Sequence, residues 1–349
     1  MTDKARRRAR IAPGAARQRS SLPPLPRRRR ENPLRDYWYP VALSAEVQDR
    51  PVPATVLDEP IVLWRADGAL AAFQDLCIHR GTRLSLGWID HGQLVCGYHG
   101  WSYDRNGACT RIPSLPPERG IPAKARVPRY RCVERYGLVF VCLGEPRRPI
   151  VEFPEFEQPA YRTFFFGRHR WHTSAARMIE NFMDVSHFPW VHPGTLGDRE
   201  RPLIPSIEVK RGDGELSFEI ESEGRSRTDP SRVTLDRVTY RVILPFTIYN
   251  ERVTPVGERL VFFFLAVPVS DREMDRYLFL SRNYALDEPD ERFRQFSLTV
   301  AEQDRVVVES QRPEALPLDL SEELHLRGPD NCAVVYRRML REIGVPDVA

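Results

Sequence analysis

The sequence predicts an α+β fold in which an N-terminal all-β module precedes a larger antiparallel sheet flanked by helices. Three observations carry that prediction. Short apolar runs bounded by turn residues recur between positions 34 and 148, longer β-branched and aromatic segments recur between 206 and 286, and stretches of helical composition lie at 175–188, 289–310 and 331–343. A chain of 349 residues can bury a core large enough for two domains. Its 31 prolines exceed the ordinary usage of about 5%, which fits many turns and irregular connections rather than long helices.

The first thirty residues stand apart. They hold eleven Lys/Arg and one acid, a net of +10, so the rest of a chain whose total is +4 carries −6. This segment lacks hydrophobic periodicity and is expected to be a solvated, disordered tail over 1–33. A nucleic-acid or membrane-surface arm, an organelle transit peptide and an Arg-rich export signal are the competing readings. No apolar stretch follows the arginines, which weighs against export. Elsewhere the longest apolar runs, 136–143 and 260–269, fall far short of the ~20 residues of a membrane span. The expectation is therefore a cytoplasmic protein with neither a nucleic-acid nor a membrane partner. In a reducing cytosol its six cysteines read as thiols or metal ligands rather than disulfides.

The globular part begins with the aromatic cluster at 34–41. Strands are expected at 55–57, 61–65, 70–74, 93–96 and 138–143, and 146–154 reads as a linker. The expected domains are therefore 34–148 and 149–349. Ala, Met, Ile and Glu favour a helix over 175–188, stopped by Pro189. Segments 206–209, 216–221, 237–249, 259–267 and 276–286 predict an antiparallel sheet. Helices at 289–310 and 331–343 close the chain.

Two Cys/His pairs occupy separate short loops, Cys77-x-His79 and Cys96-x-x-His99. A Rieske [2Fe-2S] cluster needs this set, two thiolates on one iron and two imidazoles on the other. A Cys2His2 zinc site uses the same atoms, but the common finger keeps its cysteines together and its histidines together, whereas each loop here mixes them. Gly81, Gly97 and Gly100 let backbone wrap closely round a cluster. The pattern Cys77-x-His79-Arg80-Gly81 with Cys96-x-Tyr98-His99-Gly100-Trp101, followed by Tyr103-Asp104-x-x-Gly107 and Ile112-Pro113, resembles the Rieske domain of aromatic-ring hydroxylating oxygenases. Cys109, Cys132, Cys142 and Cys332 have no partner pattern and read as packing residues.

A second constellation places Asp184, His187 and His192 within nine residues. Two histidines and a carboxylate that leave adjacent positions open form the facial triad of non-haem Fe(II) oxygenases. The spacing alone leaves the carboxylate undecided. The family resemblance implies that His187 and His192 bind iron, that Asp184 links an iron-bound and a cluster-bound histidine, and that the third ligand comes from a late helix. Asp304 fits that position, with Glu302 and Glu309 as alternatives. Val307, Val308 and Gln311 are expected to share its inward face. Asn181 is a further candidate close to the iron; His91, His169, His172 and His325 receive no role.

The resemblance further implies a helix-grip, START-like catalytic domain, one [2Fe-2S] cluster and one mononuclear Fe(II) per chain, and a head-to-tail homotrimer in which a cluster serves the neighbouring iron. Electrons are expected from NAD(P)H through a separate reductase or ferredoxin, since no Gly-rich dinucleotide motif is present. The compact length resembles the O-demethylase type that includes vanillate and dicamba monooxygenases. Such enzymes use O2 to hydroxylate a methyl carbon of an organic substrate, here expected to be aromatic, and the hemiacetal then releases formaldehyde. A cis-dihydroxylating dioxygenase, a non-catalytic Rieske electron carrier and a zinc-binding interaction module are the alternatives.

Overall fold

A computed structural model describes residues 32–204, 207–225 and 233–346. The expected tail thus lies outside the described residues, apart from its last two positions. Asn32 and Pro33 belong to the folded body, because the Asn32 side chain caps a 3-10 turn over Pro33–Asp36 and Pro33 is buried.

The first ten strands are β1 (Tyr39–Leu43), β2 (Val52–Val56), β3 (Glu59–Ala66), β4 (Ala69–Gln74), β5 (Trp88–Asp90), β6 (Gln93–Val95), β7 (Ser102–Tyr103), β8 (Cys109–Arg111), β9 (Arg129–Arg135) and β10 (Leu138–Cys142). They form a six-stranded sheet, ordered β1-β10-β9-β4-β3-β2, and a small sheet, β5-β6-β7-β8; the Cys77/His79 loop leads from β4 of the first to β5 of the second, and the Cys96/His99 loop joins β6 to β7. A compact cluster of Trp64, Phe73, Leu84, Leu94 and Tyr103 fills the space between the two sheets.

The remaining elements are β11 (Arg162–Trp171), α1 (Ala175–Met183), α2 (Phe188–Val191), β12 (Lys210–Gly212), β13 (Glu215–Arg225), β14 (Val233–Ile243), β15 (Thr247–Val253), β16 (Arg259–Pro268), β17 (Met274–Arg282), α3 (Asp290–Val308) and α4 (Asn331–Glu342). The strands make one antiparallel sheet, β11-β17-β16-β15-β14-β13-β12. Phe182 of α1 packs 5.2 Å from Phe264 of the sheet. Arg337 of α4 reaches Glu180 of α1 at 2.6 and 2.7 Å, tying the two helices together. Helix α3 runs along β11: near its start Arg294 donates to the Phe165 and Phe166 carbonyls, and past its end Glu309 accepts from the His172 amide. Among the described residues no helix is long and apolar enough to cross a membrane.

Several expected boundaries move. The helix at 175–188 stops at Met183, because Asp184 turns extended (φ −74°, ψ 120°) while its amide still bonds back to Glu180 and Asn181. Pro189 does not stop a helix; it sits in the first turn of α2, where its missing N–H is not needed. Segment 237–249 is two strands, β14 and β15, broken at Leu244–Phe246. Position 206 lies outside the described residues, 207–209 is not a strand, and the strand there is β12. Strand β11 was not expected: its alternation is hidden by three consecutive phenylalanines and a register shift between Phe165 and Arg168.

The 146–154 linker carries no helix or strand before Pro154, yet it is strapped down. Tyr136 Oη donates to the Val151 carbonyl, Phe153 N donates back to Tyr136 Oη at 2.7 Å, and Phe153 stacks on Phe263 of the large sheet at 4.7 Å. Backbone bonds from Leu57 and Asp58 to Pro268 and Val269, each 2.8 Å, join the halves again. The six-stranded sheet and the catalytic sheet therefore share one continuous core, while the cluster loops pack on the smaller core beside it.

Candidate metal centres

The two Cys/His loops are built alike. Cys77 N donates to Thr82 O and Gly81 N to Cys77 O; Cys96 N donates to Trp101 O and Gly100 N to Cys96 O, all between 2.7 and 3.0 Å. Each turn needs a glycine four residues after its cysteine, since Gly81 and Gly100 hold φ of +69° and +70°, a region that costs other residues strain. Both thiols are buried, whereas both imidazoles are exposed. The His79 and His99 Nδ1 atoms face each other at 3.2 Å, and Trp101 stacks on His79 at 4.6 Å. Partial desolvation, together with the charges of His99 and Arg80, holds His79 below its ordinary pKa and favours the neutral ring a metal requires. Burial pushes the Cys77 thiol up, offset in part by Tyr103, whose Oη lies 3.1 Å from Cys77 Sγ.

One tetrahedral zinc would gather all four donors round a point. Among the described residues, only His187, His192 and Asp304 converge three such donors. The cysteines and histidines divide instead into an inner thiol pair and an outer imidazole pair, which suits a two-iron cluster with unlike ends.

The second site joins one turn of chain to a residue of α3. Ser174 caps α1 by accepting from Arg177 N, and the helix buries Ala176, Met178, Ile179 and Met183. Asp184, its C-cap, accepts from Ser186 N at 2.7 Å and Ser186 Oγ at 2.5 Å. His187 precedes α2 and His192 follows it, so the short helix turns both imidazoles the same way, centroids 5.2 Å apart. Their Nε2 atoms lie 3.3 and 3.0 Å from Asp304 Oδ1 of α3. On the far sides of the rings, His187 Nδ1 faces Asp184 Oδ2 at 3.3 Å and His192 Nδ1 faces Gln303 Oε1 at 2.8 Å.

Three donor atoms within 4.8 Å of one another can therefore hold one ion. Burial opposes charge on His187, Asp304 and Asp184, but hydrogen bonds to them win. His187 rises to about 9 against the burial that lowers it, through Asp184 and Asp304. Asp304 falls to about 2 against the burial that raises it, through His187 and His192. Asp184 also falls below its usual range, where bonds from His187 and Ser186 outweigh burial.

The structure thus brings His187, His192, Asp184 and Asp304 together. Glu302 is engaged with Arg305 on the exposed face, and Glu309 with Arg305 and the His172 amide, so neither joins the triad. Asn181 lies half-buried on α1 with no side-chain hydrogen bond to the group. Val307 does not share the inward face of Asp304: it is exposed, while Val308 is buried. A position three residues on lies about 60° round a helix, and here that is enough to leave the buried stripe.

Two family models match the chain: the Rieske [2Fe-2S] domain over residues 37–132, and the vanillate O-demethylase oxygenase C-terminal domain over residues 171–344. The methylxanthine N1-demethylase NdmA of Pseudomonas putida is 32% identical over 320 residues, covering 89% of each chain. The chain belongs to the Rieske non-haem iron oxygenases. Another relative, the dicamba O-demethylase oxygenase component of Stenotrophomonas maltophilia, is 30% identical, covering 79% of this chain and 87% of its own. Among solved structures, NdmA with caffeine superposes with a TM-score of 0.79 at 31% identity, covering 89% of this chain and 91% of that one. Dicamba monooxygenase bound to dicamba gives 0.76 at 26%, covering 89% and 97%. This Rieske oxygenase carries a [2Fe-2S] cluster and a catalytic mononuclear iron, and it is an oxygenase of the monooxygenase type.

The sequence reading assigned no task to Gln303, Ser186, Tyr103 or Trp101. Gln303 adjoins Asp304, and its role depends on His192 arriving from 111 residues away. Tyr103 and Trp101 sit in the motif, but only the fold shows which ring or thiol each one meets.

Proposed function

We propose that this chain is the terminal oxygenase of a demethylating system, with 34–148 as cluster domain and 149–349 as iron domain. Cys77, Cys96, His79 and His99 would hold the cluster, and His187, His192 and Asp304 the iron. The observation that carries this reading is the presence of two separate donor sets, one paired and one convergent. When bound, the cluster supplies single electrons and the ferrous ion the place where O2 is reduced. Electrons would come from NAD(P)H through a separate reductase or ferredoxin. The substrate would be a small aromatic compound bearing an O- or N-methyl group, as the activities of the demethylase relatives suggest.

Within the chain, Asp304 fixes both imidazoles from one oxygen, and Gln303 and Asp184 hold their outer nitrogens. These outer contacts select the tautomer that presents Nε2 to the ion. A homotrimer would place the exposed His79 and His99 of one subunit against the Asp184 face of the next. Ile78 and Tyr98 adjoin the histidines and are exposed, as are Leu86 and Trp88 of the same region and Trp190 of α2, so there is apolar area to cover. The Asp184 side chain is 36% exposed and can reach outward while still holding His187.

Gln303→Leu should lower iron affinity about tenfold or more, read by competition with a chelator, while leaving cluster absorbance unchanged. Iron binding should also be pH-dependent. Metal-free His187 keeps its proton below about 9, and the ion must displace it. Fe(II) uptake at pH 7 should then release about one proton per chain, and affinity should rise between pH 7 and 9 and level above; affinity flat across that window contradicts the ligand set. The function itself is tested by supplying a reductase, NADH and methoxy- or methylamino-aromatics. Formaldehyde with one labelled oxygen incorporated supports demethylation, and a cis-diol carrying two would make this a dioxygenase.

A further inference from the structure

Five arginines are buried among the described residues, and four meet a carboxylate: Arg35 with Glu59 at 3.4 Å, Arg177 with Glu323 at 2.7 Å, Arg282 with Asp290 at 2.9 Å and Arg337 with Glu180 at 2.6 Å. Arg276 is the exception. It lies on β17 with only 4% of its surface exposed, beside His169 of β11 and Ala266 of β16 in the strand register. Its guanidinium carbon stands 5.6 Å from the Trp171 ring centre. Its Nε is sealed from solvent without a hydrogen-bond partner, and so is the neighbouring His169 Nδ1. Arg177 and Arg282 also leave Nε unpaired, but desolvating a guanidinium without a carboxylate partner is costly, and such a group in a native fold calls for an occupant.

The position of Arg276 says what that occupant would meet. Helix α3 is anchored on β11 at Arg294, over Phe165 and Phe166, and at Glu309, over His172. Fifteen helical residues and six or seven strand residues both span about 22 Å, so helix and strand run level and Asp304 lies above the stretch from His169 to Trp171. Burial brings the guanidinium down to about 10 against the pull of Asp304, whose charge acts from beyond ion-pair distance. The orphaned cation therefore sits under the iron triad, on the sheet face the helices cover.

We propose that Arg276, with His169 beside it, binds a carboxylate carried by the organic substrate and so orients that substrate beneath the iron. A planar guanidinium matches a carboxylate in a way that neither water nor an amide does, and the Trp171 ring offers a flat wall. The assignment rests on the demethylase reading, because it presumes a substrate at this iron.

The probes are benzoate and benzamide, titrated calorimetrically into the anaerobic holoprotein. Wild type should bind benzoate about tenfold or more tighter than benzamide, the scale of a charge-assisted hydrogen bond. Arg276→Gln should abolish that preference, and Arg276→Lys should keep part of it at lower affinity. Equal binding of the two probes, no binding of benzoate, or a preference that survives Arg276→Gln overturns the assignment. So does a guanidinium that serves only Asp304, seen as lost iron affinity in Arg276→Gln without any change in probe selectivity. If Arg276→Gln does not fold, Arg276→Lys decides, and selectivity identical to wild type sinks the proposal. Formaldehyde release from neutral methoxy-aromatics is measured alongside. Release without an Arg276-dependent benzoate preference leaves the demethylase reading standing and ends the anion site; the preference without release from any substrate does the reverse.

Discussion

Asp184→Asn is expected to keep both metal centres and lose turnover by about 10–100-fold or more, the usual cost of removing a partner that orients a metal-bound histidine. The substitution conserves shape, and Ser186 can still donate to the remaining carbonyl oxygen, so the C-cap of α1 and the turn to His187 should persist. The charge is what disappears. Asp184 is held ionised by His187 and Ser186, and a neutral amide would meet His187 Nδ1 without the negative charge that fixes its proton there. In the proposed trimer the same carboxylate would also receive the neighbouring cluster histidine, so one amide would weaken both ends of the link. Iron and sulfide analysis with steady-state turnover checks this, and full activity in the asparagine variant would remove the bridging role.

His187→Ala has a different signature. Three protein donors would hold the ion, and removing one leaves two, too few for a stable site. Iron should fall from about three to about two per chain while acid-labile sulfide stays at about two, the content of the cluster alone. Activity should vanish. The cluster should be untouched, because its proposed donors lie on the loops at β4–β5 and β6–β7 and the alanine variant changes nothing there. Loss of sulfide together with iron would mean that the two centres are not independently held.

Much of this arrangement was legible in the sequence because the candidate ligands come in local groups. Two Cys/His pairs within four residues each, and two histidines five apart, are patterns that chance seldom produces, and the twin turns round Cys77 and Cys96 follow from glycines at matched positions. Asp304 needed the family resemblance, since nothing local distinguishes it from Glu302 or Glu309; only packing against His187 and His192 does. Gln303 and Arg276 were invisible for the same reason. Each depends on a partner, or the lack of one, more than a hundred residues away in the chain. The fold errors share that origin: β11 pairs with a strand over a hundred residues later, and Pro189 looked like a terminator until α2 appeared around it.

Anaerobically purified protein, assayed for iron and acid-labile sulfide per chain, should contain about three irons and about two sulfides. Protein that is colourless, or that carries a single zinc with no sulfide, would contradict a paired-ligand cluster feeding a separate iron.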